Sequence, residues 1–171
     1  MAGPSAGVRH MPVTRDIAAT YGGPGKVMRR LLALGPREDR ALAILMAGCV
    51  LVFISQWPVL AREAHLDGED LNPKLGASLM AWVLIAPLLL YGLAALTHLA
   101  ARVLGGKGSF FSARLALFWS FLAASPLMLL NGLVGGFIGP GPQLQIVGFL
   151  WLAVFLWFWI RSLMVAEGSP E

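Results

Sequence analysis

The sequence predicts an all-α membrane protein, in which a short amphipathic interfacial helix precedes a polytopic bundle of four transmembrane helices. Apolar residues make up 57% of the 171 positions and charged residues only 13%, about half the charged share of an ordinary soluble domain. A soluble domain of this size has too much surface to hide so many apolar side chains. The few charged residues also leave long stretches of the chain free of charge, and these stretches locate the spans.

The uncharged stretches give the number of spans. No Asp, Glu, Lys or Arg occurs in residues 41–61, 75–101 and 115–160. A spanning helix needs about 20 apolar residues, so the first two windows hold one span each and the third holds two. Gly and Pro cluster between Gly135 and Pro142, and such a cluster breaks a helix and forms a turn. The expected transmembrane domain covers residues 37–164, with spans near 41–60, 77–101, 114–137 and 144–163.

The basic residues predict the orientation of these spans. With four spans, the N-terminal segment, the loop at 102–113 and the C-terminal tail lie on one side of the membrane. Of the 13 Lys and Arg residues, all except Arg62 and Lys74 fall on or beside that side. Short loops rich in Lys and Arg stay in the cytoplasm. We therefore expect a multi-pass protein of the cell inner (cytoplasmic) membrane with both termini cytoplasmic.

The chain before the first span contains an amphipathic pattern. Residues 24–36 place apolar side chains on one helical face at i, i+3, i+4 and i+7 spacing, with basic side chains beside that face. This pattern predicts a short helix lying on the inner leaflet. The alternative is a helix packed against a partner. We expect a disordered tail at residues 1–23 and a short C-terminal tail at 165–171.

Few side chains within the spans are suited to chemistry. The spans lack the carboxylates and amines that a membrane enzyme or an ion-coupled transporter uses. His98 lies about one turn from the edge of its span, and Ser125 and Asn131 lie inside the third span. We expect these three side chains to make polar contacts between helices. The sequence thus predicts a non-enzymatic protein with no catalytic residue, no cofactor and no metal site, since a metal site needs several ligands.

The expected partners are lipids and other membrane proteins, including further copies of this chain. Basic residues next to spans attract the anionic phospholipid headgroups of a bilayer. The formal net charge is +4, yet no nucleic-acid-recognition motif accompanies it, so we expect no nucleic-acid partner. The candidate headgroup contacts are Lys26, Arg29, Arg30, Arg102, Lys107 and Arg114.

Three stretches together carry a family resemblance. Residues 96–133 read LTHLAARVLGGKGSFFSARLALFWSFLAASPLMLLNGL, in which a glycine-rich turn separates a span ending in Arg102 from one entered at Arg114. Residues 37–64 add a charged entry and a closing Pro58, and the last span is aromatic. Over about residues 26–163 the chain resembles bacterial members of the Yip-one domain family (the YIP family of Rab/Ypt-GTPase-interacting-protein-like multi-span membrane proteins).

The resemblance implies a multi-span membrane protein without an established catalytic residue. Eukaryotic relatives lie in endoplasmic reticulum and Golgi membranes, where they associate with Rab GTPases and with each other, and they usually have five spans rather than the four expected here. We therefore expect a protein that binds membrane partners or organises the bilayer. The alternatives are a small-solute transporter or permease subunit, and an accessory subunit of a larger membrane complex.

Overall fold

The computed structural model describes residues 12–168, and every regular element in that range is helical. A π-helical turn at Ala81–Ile85 joins the fourth helix to the fifth. The expected all-α polytopic bundle is confirmed. The helices are α1 (Val13–Gly22), α2 (Pro24–Ala33), α3 (Glu38–Asp67), α4 (Leu71–Met80), α5 (Ala86–Val103), α6 (Phe110–Phe137) and α7 (Pro142–Gly168).

Four of the described helical segments are long and apolar enough to cross a membrane, namely α3, the continuous α4–α5 unit, α6 and α7. Their number and order are those predicted from the uncharged windows. The π-helical turn lies just before Pro87, which has no N–H and whose ring crowds the carbonyl one turn earlier. The helix widens there, so that the Ala86 N–H bonds to the Ala81 carbonyl five residues back.

The helices extend beyond the predicted spans. α3 continues past Pro58 to Asp67, and it is followed by Gly68, whose φ of 67° suits a residue without a Cβ. Residues 62–67 and 71–76, which lie between the first two expected spans, are therefore helical. α7 likewise runs to Gly168, so that the expected tail at 165–171 is helical as far as the structure describes it. Polar turns that project beyond the hydrocarbon carry no hydropathy signal, which explains both differences.

The expected disordered tail contains a helix, α1. The Trp119 Nε1–H of α6 donates a hydrogen bond of 3.1 Å to the Thr20 hydroxyl, and Thr20 is fully buried. The Tyr21 ring meets the Phe158 ring of α7 edge to face, with centroids 4.9 Å apart. α1 thus forms because it docks on the bundle, a stabilisation that local propensity does not reveal. The rest of the expected tail, residues 1–11, lies outside the described residues.

The amphipathic helix is present as α2, but its apolar face does not lie on lipid. Val27, Met28 and Leu31 are buried, and α2 packs against α7. A Cβ on Gly25 would lie 3.2 Å from the Val165 methyl of α7, so the two helices are close. The apolar face that we expected on the inner leaflet therefore packs within the protein, while Lys26 and Arg29 stay exposed.

The core is built around α6. Side chains from Leu115 to Ser125 are buried on every side of this helix, because α3 packs along one flank and α7 along another. In their most apolar windows, 56% of α6 is buried but only 6% of the α4–α5 unit. The second span therefore lies at the periphery, and most of its apolar surface is exposed.

Two glycines set the distance between α3 and α6. A Cβ on Gly132 would lie 1.8 Å from the Ser55 carbonyl oxygen, and one on Gly136 would lie 2.3 Å from the Pro58 Cβ. Glycines four residues apart on one helix form the small-residue pair that permits close helix packing in membranes. The main chain of α3 fills the space that larger residues on α6 would occupy.

Replacing Gly132 by Ala tests this close approach. The added methyl overlaps the α3 main chain, so Gly132→Ala should destabilise the bundle by about 1–3 kcal/mol. The matched control is Gly92→Ala in α5, where no atom lies within 4 Å of the added Cβ. That variant should keep or raise stability, since Ala favours a helix. Thermal unfolding in detergent, followed by Trp fluorescence, measures both, and equal midpoints would contradict the packing model.

Candidate functional site

The two ends of the bundle differ in charge. We define the basic end by α1, α2, the loop at 104–109 and the last turns of α7, and the opposite end by the turns at 68–70 and 138–141. At the opposite end Arg62 caps α6 by donating to the Gly136 carbonyl at 3.4 Å, and Lys74 pairs with Asp67 and Glu69 at 3.1 Å each. Most cations of residues 12–168 lie at the basic end, namely Arg15, Lys26, Arg29, Arg30, Arg37, Arg40, Arg102, Lys107, Arg114 and Arg161.

An ion pair joins α1 to α2 at the basic end. The Arg30 guanidinium donates to the Asp16 carboxylate. The main-chain oxygen of Asp16 accepts a hydrogen bond of 2.7 Å from the Thr20 hydroxyl. That hydroxyl in turn accepts a hydrogen bond from the Trp119 indole N–H. The ion pair and the hydrogen bonds connect α2 through α1 to the centre of the bundle.

Glu167 closes the basic end on its other side. One carboxylate oxygen accepts the Gly108 N–H at 3.1 Å, and the other lies 3.3 Å from His98 Nδ1 of α5. The Lys107 N–H donates to the main-chain oxygen of Glu167 at 3.0 Å. The Glu167 side chain is only 10% exposed. We call this arrangement the Glu167 clasp: it joins α5, the loop at 104–109 and α7.

The glycine-rich loop is packed rather than open. A Cβ on Gly108 would lie 2.4 Å from the Ala166 carbonyl oxygen, and one on Gly106 would lie 2.6 Å from a Glu167 carboxylate oxygen. Ser109 follows as the cap of α6, because its hydroxyl accepts the Ser112 N–H at 3.2 Å. Glycine is needed in this loop because it brings the main chain directly against α7.

The three side chains predicted to make polar contacts do not come together. His98 meets Glu167 at the basic end, whereas Ser125 is buried in α6. Asn131 faces α7, where a Cβ on Gly148 would lie 3.7 Å from its Oδ1. That oxygen is buried and accepts no hydrogen bond within residues 12–168. In the same range, no three His, Cys, Asp or Glu side chains are grouped to hold a metal ion.

The predicted headgroup contacts divide into two groups. Lys26, Arg29, Arg102 and Lys107 are exposed at the basic end. Arg114 is not available to headgroups: its side chain is only 12% exposed, it pairs with Glu38, and it lies 4.5 Å from the centre of the Phe110 ring. Arg30 is partly engaged by Asp16.

Sequence reasoning missed the acids that organise this end. Asp16 pairs across 14 residues and Glu38 across 76, and no local pattern marks either pair. Glu167 offered one signal, because a carboxylate in the last turn of a helix faces the negative end of the helix dipole. An acid in that position indicates a partner elsewhere in the structure.

Comparison with known proteins adds one finding. The family model of the Yip1 domain matches residues 23–168. No curated protein and no solved structure matches the chain. The matched region contains α2, all four membrane-spanning segments and the Glu167 clasp, while α1 precedes it.

Replacing Glu167 by Ala should loosen the loop at 104–109. The Gly108 amide then loses its carboxylate acceptor, and its hydrogen exchange should accelerate at least about tenfold, because hydrogen bonds to charged groups contribute roughly 1.5–3 kcal/mol. The Lys107 amide, which bonds to the main chain, should change less. Exchange at single amides, measured by NMR, gives both rates. Glu69→Ala at the opposite end is the control, and unchanged Gly108 exchange in Glu167→Ala would disprove the clasp.

Proposed function

The chain belongs to the Yip1 domain family, and on this premise we propose that it is a non-enzymatic protein that binds other membrane components and organises the bilayer locally. Its four apolar spans make it a multi-pass membrane protein. We place it in the cell inner membrane, with both termini in the cytoplasm. The basic end then faces the anionic headgroups of the cytoplasmic leaflet.

One observation carries this proposal: the charged side chains of the described residues lie at the two ends, and the middle of the bundle is packed with apolar side chains. Residues 115–160 contain no Asp, Glu, Lys or Arg, and the α6 segment from Leu115 to Ser125 is buried by its neighbours. Ion-coupled transport and acid–base catalysis in a membrane rely on ionisable groups at depth. The chemistry that this molecule offers to partners is concentrated at its ends.

The distribution of charge supports the orientation. The basic end holds most cations of the described chain, and the exposed ones include Lys26, Arg29, Arg102 and Lys107. The cations of the opposite end, Arg62 and Lys74, contact α6 and nearby acids. An excess of Lys and Arg in short loops keeps those loops in the cytoplasm.

A second candidate function, a small-solute transporter or permease subunit, rests on Asn131. Its Oδ1 is buried within α6–α7 without a hydrogen-bond partner among the described residues, and Trp151 Nε1 on α7 is in the same condition. Buried polar atoms without partners are uncommon and costly. A polar solute that reached Asn131 between α6 and α7 would provide the missing partner.

Labelling of single cysteines tests the orientation. In a Cys49→Ser background, Glu69→Cys should react with a membrane-impermeant maleimide in intact cells, because its end of the bundle faces outwards. Arg102→Cys should react only after the membrane is permeabilised. Both positions are exposed, so access to the reagent alone decides the result. The opposite pattern would overturn the cytoplasmic placement of the basic end.

The same background separates the two candidate functions. Asn131→Cys should resist impermeant thiol reagents from both sides, since the side chain faces α7 inside the bundle. Glu69→Cys serves as the reactive control. Rapid labelling at position 131 that a solute slows would favour the transporter and reject the proposed binding role.

A further inference from the structure

A cleft of about 410 Å³ lies at the basic end, between the corner of α1 and α2 and the last turns of α7. The main chain at Gly22 and Gly23 forms one wall, and no side chain projects from it. The side chains of Lys26, Arg29 and Arg161 also line the cleft, together with apolar residues that include Met164. Ligand pockets typically enclose about 300–1,000 Å³, so the cleft is large enough for one small ligand.

The cleft carries positive charge that its own walls do not balance. Lys26, Arg29 and Arg161 are all exposed, and no carboxylate is among the described residues that line the cleft. The acids on the adjoining helices have other partners, since Asp16 bonds to Arg30 and Glu167 bonds to the Gly108 N–H. Guanidinium and ammonium groups gathered in this way are the usual protein ligands of phosphate.

An apolar surface leads from the membrane to this cleft. Trp157, Ile160 and Met164 are exposed on α7, and their spacing of three and four residues puts them on one helical face. Met164 also lines the cleft. A molecule with a phosphate head and acyl chains would place its head among the cations and its chains along this face.

We propose that the cleft formed by Lys26, Arg29 and Arg161 binds one phosphate-bearing anion, and that a phospholipid headgroup is the form that fits it best. A discrete site differs from diffuse attraction to the bilayer because it saturates and depends on these three side chains rather than on net charge. The inference deepens the proposed function by naming a ligand class for the basic end. It requires neither the cytoplasmic orientation nor the absence of catalysis.

The test uses the full chain purified in a neutral detergent. Native mass spectrometry counts bound short-chain phosphatidylglycerol during a titration, with phosphatidylcholine as the neutral comparison and inorganic phosphate as the free anion. The wild type should saturate at one phosphatidylglycerol. The variant Lys26→Gln/Arg29→Gln/Arg161→Gln should bind at least about tenfold more weakly, since each basic residue contributes about fivefold to attraction of an anionic headgroup.

A matched variant removes the same charge outside the cleft. Arg15→Gln/Arg37→Gln/Arg40→Gln takes three cations from the basic end that neither line the cleft nor belong to the candidate headgroup contacts, and it should bind within about twofold of the wild type. Equal weakening by the two variants, or binding that does not saturate, would overturn the proposal. Saturable binding of inorganic phosphate that only the cleft variant weakens would support the site and identify a soluble phosphate as its ligand.

A single substitution covers the case in which the triple variant does not fold. Arg161→Gln should weaken phosphatidylglycerol binding about fivefold, and Arg161→Lys should restore most of it because the charge returns. No change in Arg161→Gln would overturn the proposal. Because binding in detergent does not depend on membrane orientation, failure here is distinct from failure of the proposed function, which the labelling experiments test separately.

Discussion

The close packing of α3 and α7 on α6 is the constraint on which the rest of the structure depends. Apolar side chains gain little by leaving acyl chains for one another, so helices in lipid associate through tight packing rather than through the hydrophobic effect. Gly132 and Gly136 allow that packing because the α3 main chain occupies the space of their missing side chains. With α6 held between its neighbours, the ends of the spans are fixed relative to one another.

The basic end is assembled on that fixed core as a series of linked contacts. Trp119 of α6 holds α1 through Thr20, and α1 holds α2 through the pair of Asp16 with Arg30. α2 packs on α7, and α7 returns through Glu167 to the loop that leads into α6. The helices that carry the cations of this end are therefore held in place by contacts that lead back to α6. Pre-assembled positive charge is a better receptor for an anion than charge on a mobile tail, because less ordering is required on binding.

The sequence predicted the spans well and their ends poorly, for one physical reason. A hydrocarbon layer about 30 Å thick requires about 20 apolar residues, and that requirement is visible in composition. Beyond the layer nothing demands apolar residues, so the helical turns from Arg62 to Asp67 and from Val165 to Gly168 carried no signal. The apolar stripe of α2 predicted a helix. It did not predict what covers the stripe, because lipid and a neighbouring helix can both pack against an apolar face. α1 has only ten residues, too few for a stable helix on its own, so its contacts with Trp119 and Phe158 decided its fold.

The candidate site was predictable in its cations but not in its pairings. Composition marked the basic end, yet Arg114 and Glu38 are 76 residues apart in sequence and only the fold brings them together. Glu167 is the residue where a local rule fails, since an acid ends a helix whose dipole disfavours it there. Such exceptions to local rules are expected at functional or strained sites. Here the carboxylate bonds to the Gly108 N–H and lies beside His98, and it is not among the residues that line the cleft with Arg161. The cleft is positive because its lining holds three cations and, among the described residues, no carboxylate.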